Sequence, residues 1–252
     1  MRHPVGTFCY LESGSASPPR TRRFYADLLE WGTDVSAFPD GGSYTRFLAA
    51  GRPVAGVFSV GPEDRARLPT QWWPFVTVES AEATLERAVA LGASPMGDIV
   101  NVPGEFSAAE FYDPAGAICG LWQPGSHTGA QVVGEVGALS WTDLSTPDPE
   151  AAADFYEALF GWAHQSVATS AGSYGRFTLD GMAVGGLARS DPAADPWWRP
   201  HVAVEELDAA LASASELGGD ADAEEDPVEA LGRRAVVRDP NGIRLMLIES
   251  TP

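Results

Sequence analysis

Lysine is missing from this chain. All 16 basic residues are arginines, set against 35 acids in 252 residues. Without lysine the chain has no side chain for Schiff-base chemistry. A formal net charge of −19 argues against nucleic acid and against anionic membrane surfaces as partners. Cysteine is scarce as well. Cys9 and Cys119 form no disulfide framework, no Cys-x-x-Cys pair and no zinc-type cluster. Each sits in an apolar, strand-like run and reads as a small core residue. No apolar run reaches membrane-spanning length, and no signal segment follows Met1-Arg2-His3-Pro4. A cytoplasmic protein is therefore expected.

A duplication is present in their place. Gly134 to Trp162 reads as strand, turn, helix and stop. Leu139, Trp141 and Asp143 alternate with Ser140, Thr142 and Leu144 at a period of two. Asp148 can cap a helix that opens on Pro149, and Gly161 supplies its left-handed stop. Ala152, Phe155, Tyr156 and Leu159 share one helical face. The same pattern runs from Gly6 to Gly32. Phe24-Tyr25 matches Phe155-Tyr156, and Gly42-Ser43-Tyr44-Thr45-Arg46-Phe47 matches Gly172-Ser173-Tyr174-Gly175-Arg176-Phe177. Asp113-Pro114-Ala115-Gly116 likewise matches Asp239-Pro240-Asn241-Gly242. A period this long means a duplicated domain rather than a solenoid. The expected boundaries are module 1 over 1–124, a linker over 125–133 and module 2 over 134–252. Within each module the order strand, helix, short strands occurs twice. The acidic run from Asp220 to Glu229 reads as a solvated loop or sheet edge.

The chain resembles the vicinal oxygen chelate superfamily of glyoxalases, bleomycin-resistance proteins and extradiol dioxygenases. The resemblance rests on Asp148-x6-Phe155-Tyr156-x3-Phe160-Gly161-Trp162, on Arg238-Asp239-Pro240-Asn241-Gly242, and on Trp122-Gln123-Pro124-Gly125-Ser126-His127-Thr128-Gly129-Ala130 between the modules. The last stretch resembles the linker of a two-module actinobacterial, glyoxalase-like subgroup. The resemblance implies an α+β fold of two tandem modules. Each is made of paired βαβββ units that form a half-open barrel around a cavity.

The family holds a divalent metal there with His, Glu or Gln. By spacing, three of the four ligand positions fall on Tyr10, Trp73 and Gly120 in module 1, and on Trp141, Arg199 and Met246 in module 2. The remaining one falls within Val54–Phe58 or Ala183–Leu187, neither of which contains His, Asp, Glu or Gln. These residue types do not make a metal site of that kind. No metal and no cofactor are therefore expected, and metal-dependent glyoxalase or dioxygenase activity is not.

Strand alternation adds Glu12, Phe75, Asp143 and His201, two residues beyond the lost ligand positions. Module 1 would line its cavity with Tyr10, Glu12, Trp73 and Phe75, an aromatic set suited to a flat apolar ligand. Module 2 would present Trp141, Asp143, Arg199, His201 and Met246. Trp72-Trp73 and Trp197-Trp198 would border the cavity mouths. Asp143, His201 and Glu12 are the candidate catalytic groups, and Glu110 a further possible base. Arg46 and Arg176, being duplicated, read as structural, each paired with a carboxylate.

Two function classes follow. One is a metal-independent binding protein that holds a hydrophobic or aromatic metabolite, for resistance or sequestration. The other is a metal-independent lyase, isomerase or cyclase of secondary metabolism, with Asp143 and His201 or Glu12 moving a proton. Either a monomeric pseudo-dimer or a homodimer fits the duplication.

Overall fold

The computed structural model describes residues 1–38, 41–64, 68–169, 172–224 and 231–250. Module 1 runs β1 (Phe8–Ser15), α1 (Pro18–Leu28), β2 (Gly32–Ala37), β3 (Ser43–Ala49) and β4 (Arg52–Ser59). It then restarts with β5 (Trp73–Thr77), α2 (Ala81–Ala90), β6 (Ser94–Pro95), β7 (Val100–Val102), β8 (Phe106–Tyr112) and β9 (Ile118–Pro124). Module 2 runs β10 (Leu139–Thr146), α3 (Pro149–Phe160), β11 (Ala163–Thr169), β12 (Gly172–Leu179) and β13 (Met182–Arg189). Its second half is β14 (Trp197–Val204), α4 (Leu207–Glu216), β15 (Asp220–Glu224), β16 (Arg234–Arg238) and β17 (Arg244–Glu249). The α+β class and the doubled βαβββ order are as the sequence implies.

Local signals account for the element ends. Asp148 accepts a hydrogen bond from Ala151 N at 3.1 Å, and Gly161 closes α3 at φ 75°. Ser80 caps α2 through Ala83 N. The β3–β4 and β12–β13 hairpins turn on Ala50-Gly51 and Asp180-Gly181, with all four residues at positive φ. Two such residues in a row make the tight turn whose twist matches the flanking strands. The edge strands β2 and β11 had no place in the sequence reading. Gly32–Ala37 is exposed along its whole length, so it carries no apolar alternation to read. The acidic run is in part an edge strand, β15, with Arg238 bonded to Asp222. Residues 225–230 lie outside the described residues.

The first sheet has nine strands in the order β2-β3-β4-β1-β5-β9-β8-β6, with β7 on β8. The second has eight in the order β11-β12-β13-β10-β14-β17-β16-β15. Compactness does not follow the repeat. One compact unit comprises Met1–Tyr10, Trp73–Gly129 and Thr142–Arg199; the other comprises Leu11–Trp72, Ala130–Trp141 and Pro200–Pro252. Each unit therefore joins one βαβββ half of module 1 to one of module 2.

In the first unit α2 packs on α3, and a core including Leu85, Phe111, Phe155, Tyr156, Trp162 and Trp198 lies beneath them. Buried Asp113 caps its own turn by accepting from the N–H groups of Ala115, Gly116 and Ala117, and takes a further bond from Tyr156 Oη at 3.0 Å. The second unit repeats the tie with different partners. Asp239 accepts from Asn241 N, Ile243 N and Thr21 Oγ1, and Tyr25 donates to Ile243 O. The Asp-Pro-x-Gly turns and the Phe-Tyr pairs are thus structural fastenings. Cys9 and Cys119 are fully buried, and burial pushes the Cys9 thiol up to about 12. They are core residues, as expected.

Candidate functional site

A carboxylate, a tyrosine and a glycine recur together. In the first unit Tyr174 Oη donates to Asp143 Oδ2 at 3.3 Å. In the second, Tyr44 donates to Glu12. Strand register explains the geometry: Asp143 lies across from Gly186, and Glu12 across from Gly56. A Cβ on Gly186 would stand 1.6 Å from Tyr174 Oη, and one on Gly56 would stand 1.9 Å from Tyr44 Oη. Only glycine leaves room for the phenol to cross to the acid. Both acids and both Gly-Ser-Tyr-x-Arg-Phe strands are evident in the sequence, but the roles of the tyrosines and of these glycines are not. Their equal offset in the duplication was the available signal.

The two copies differ in charge. Arg199 grips Asp143 with two bonds, Nε to Oδ1 at 2.6 Å and Nη2 to Oδ2 at 3.0 Å. Asp143 is wholly buried, while the Arg199 side chain is 12% exposed. The outward end of the pair is therefore the guanidinium. Bidentate pairing of this kind is the strongest form of charge-assisted bond. The residue matching Arg199 in module 1 is Trp73, which is buried.

Among the other aromatic candidates, Tyr10 and Phe75 pack on Trp122. Within the first unit the Tyr10 ring lies 5.2 Å from Trp122 and 5.4 Å from His127. Phe75 lies 5.7 Å from Trp122, which stacks on Phe106 at 4.2 Å. The Phe75 ring also covers Gly120, passing 2.3 Å from where a Cβ would be. Tyr10, Trp73 and Phe75 are each fully buried. Trp198 is a core residue too, donating to Tyr156 Oη at 2.6 Å. This corrects the expectation that Trp72 and Trp198 border cavity mouths. Both have no exposed surface, because the apolar face of the helix above each needs a large partner.

His201 and Met246 are buried in the second unit, opposite each other on β14 and β17. His201 Nε2 lies 3.4 Å from Nη1 of Arg234, itself buried. A guanidinium only donates, so in this contact Nε2 is placed to accept. Nothing in the local sequence marks Arg234 as a partner of His201, 33 residues away. The Asp143–His201 pair envisaged from the sequence has its members in different compact units, and Glu12 likewise belongs to a different unit from Tyr10, Trp73 and Phe75. Trp141 is partly exposed on β10. Arg46 and Arg176 form no ion pair among the described residues, which corrects the carboxylate pairing expected for them. Glu110, on β8 across from Gly120, has its carboxyl pushed up to about 7 by burial.

A pocket in the second unit, lined by Gly14, Val60, Leu68, Thr70, Asn241 and Ile243, encloses about 60 Å³. Small-molecule sites usually run from about 300 to 1,000 Å³. It is too small for the expected ligand.

Comparison with known proteins places this geometry. A glyoxalase-like domain family matches residues 141–248. The chain is 31% identical over 250 residues to CFP32 of Mycobacterium tuberculosis, provisionally named a glyoxylase, covering 98% of this chain and 96% of that one. The chain belongs to the glyoxalase-like vicinal oxygen chelate family. It is also 30% identical to the anthracycline biosynthesis protein DnrV of Streptomyces peucetius, over 98% of this chain and 94% of that one. Among solved structures, the 2,3-dioxygenase LapB from Pseudomonas shares the fold at a TM-score of 0.64 and 11% identity, over 98% and 94% of the two chains. The Mn(II)-bound glyoxalase from Novosphingobium aromaticivorans does so at 0.60 and 14%, over 98% and 83%.

The family's metal does not fit the side chains at its usual positions. Tyr10 and Trp73 are fully buried aromatics, Gly120 is covered by Phe75, and Arg199 brings a positive charge of its own. Met246 offers only a soft sulfur. Among the described residues no group of three or more His, Cys, Asp or Glu is placed to hold a metal ion. No helix is long and apolar enough to cross a membrane.

Proposed function

We propose that this chain is a metal-independent, cytoplasmic small-molecule-binding protein that holds a hydrophobic or aromatic metabolite, in resistance or sequestration. Arg199 carries the reading. Where the family has a metal ligand in module 2, this chain has a guanidinium that already occupies the neighbouring carboxylate. A fixed cation there opposes a metal ion and withdraws the Asp143 carboxylate beside it. The similarity to DnrV supports an aromatic ligand, because anthracyclines are polycyclic aromatics. Elemental analysis of the purified protein is expected to find Zn, Fe, Mn and Ni far below stoichiometric amounts. Native mass spectrometry is expected to find a small molecule on part of the sample. One metal ion per chain would sink the reading.

A metal-independent lyase, isomerase or cyclase is the second reading, and Glu110 favours it. Asp143 is committed to Arg199 and is a poor base, whereas a carboxyl raised to about 7 suits proton transfer at neutral pH. His201 and Glu12 keep their candidacy. The raised value has a consequence for stability. The folded state favours protonated Glu110 relative to the ordinary value of 4.5. Its contribution is full below about 4.5 and is lost as pH rises through about 7. Urea midpoints measured across that window should fall in the native chain and fall less in Glu110→Gln. Equal slopes in both would remove the basis for this reading.

A further inference from the structure

We propose that Arg176 anchors an oxyanion, so that the ligand on this face of module 2 is an acid: a carboxylate, enolate or phenolate borne on a hydrophobic body. The proposal rests on the binding reading above and names its ligand class. Arg176 stands on β12 two residues after Tyr174, on the same face of the strand. It lies across from Gly186, which in turn lies across from Asp143. Its Nε is buried and meets no acceptor among the described residues. Buried donors are seldom left in that state unless something outside the chain completes them.

Charge points the same way. Asp143, the acid nearest in register, is taken by Arg199 and Tyr174. Along this register two guanidiniums, Arg176 and Arg199, stand against one carboxylate, because the residue across from Arg176 on β11 is the neutral Gln165, in a chain whose total is −19. A ligand oxygen carrying negative charge supplies both the missing acceptor and the missing charge. The planar fork of arginine suits a carboxylate in particular.

Module 1 provides an internal control. Arg46 lies across from Gly56, which lies across from Glu12, and the Arg46 Nε is also buried without an acceptor among the described residues. There one guanidinium stands in register with two carboxylates, Glu12 and Asp34, the latter directly across from Arg46 on β2, and Trp73 takes the place of Arg199. No net positive charge is left to draw an anion, so the assignment falls on Arg176.

The test uses the full chain and two probes of one shape, 2-naphthoate and the neutral 2-naphthamide, titrated calorimetrically. The acid is expected to bind at least about tenfold tighter than the amide, as a charge-assisted bond implies. Arg176→Gln is expected to remove that preference, while Arg46→Gln keeps it. Equal binding of acid and amide by the native chain overturns the proposal and leaves the binding reading standing. A preference that survives Arg176→Gln overturns it as well. Failure of both probes to bind overturns both the proposal and the binding reading. Should Arg176→Gln not fold, Arg176→Lys carries the test. Lysine keeps the charge and loses the fork, so an undiminished preference there overturns the assignment.

Discussion

Glu12, Tyr44 and Gly56 stand in module 1 where Asp143, Tyr174 and Gly186 stand in module 2, while Trp73 takes the position of Arg199. Tyrosine and glycine are bound to each other sterically in both copies, because the phenol occupies the space a Cβ would need. The charge partner is under no such constraint. Module 2 therefore carries an ion pair whose outward end is a cation, and the matching position in module 1 carries a buried indole. A duplicated fold thus keeps a steric device in both halves and lets their electrostatics separate. The same holds for the fastening turns. Asp113 takes Tyr156 directly, whereas Asp239 takes Thr21 and leaves Tyr25 to a backbone carbonyl.

The sharpest way to break the comparison is Arg199→Ala. It strands the Asp143 carboxylate, which has no exposed surface. Removing one partner of a buried pair costs about 3–5 kcal/mol. Urea unfolding should register that loss, and Asp143→Asn combined with Arg199→Ala should recover part of it. A loss under about 1 kcal/mol would mean that the pair is solvated like a surface salt bridge. The glycines come next. Gly186→Ala and Gly56→Ala each drive a Cβ into a tyrosine hydroxyl and should destabilise by about 1–3 kcal/mol, as overpacking does. Similar losses would confirm the shared steric device, and a tolerated alanine in one copy would end the equivalence. The smallest effect separates the modules by charge. Tyr174→Phe leaves Asp143 its arginine and should cost about 1 kcal/mol or less. Tyr44→Phe removes a donor from buried Glu12 and should cost more, up to about 3 kcal/mol. Equal losses would show that Arg199 contributes nothing to solvating Asp143.

Much of this was legible in the chain. The repeat, the helix caps at Asp148 and Gly161 and the Asp-Pro-x-Gly turns are local, and each came out where its chemistry demands. Edge strands such as β2 were not legible, because an exposed strand carries no apolar period. Among the candidate residues, Asp143, Arg199, Glu12 and His201 could be named from spacing. Their partners could not, since Tyr174 reaches Asp143 from 31 residues away and Arg199 from 56. Spacing along one strand also cannot tell a lining residue from a core one. Trp198 and Phe75 sit on β14 and β5, and only the elements packed against them decide that both are filled in.

The sequence by itself determined the duplication and the twice-repeated order of strand, helix and short strands in each module, while its resemblance to the family implied the full βαβββ count and ligand positions without metal-binding side chains. Those are properties of residue identity and period, which need no partner to be read. The tertiary structure alone decided how the halves combine, with each compact unit taking one βαβββ half from each module. It also decided that Arg199 neutralises Asp143 while the Arg176 Nε meets no acceptor among the described residues. Both outcomes depend on which strands pair and which chains reach across them. That choice is made by burial over the whole sheet, and no short stretch of residues encodes it.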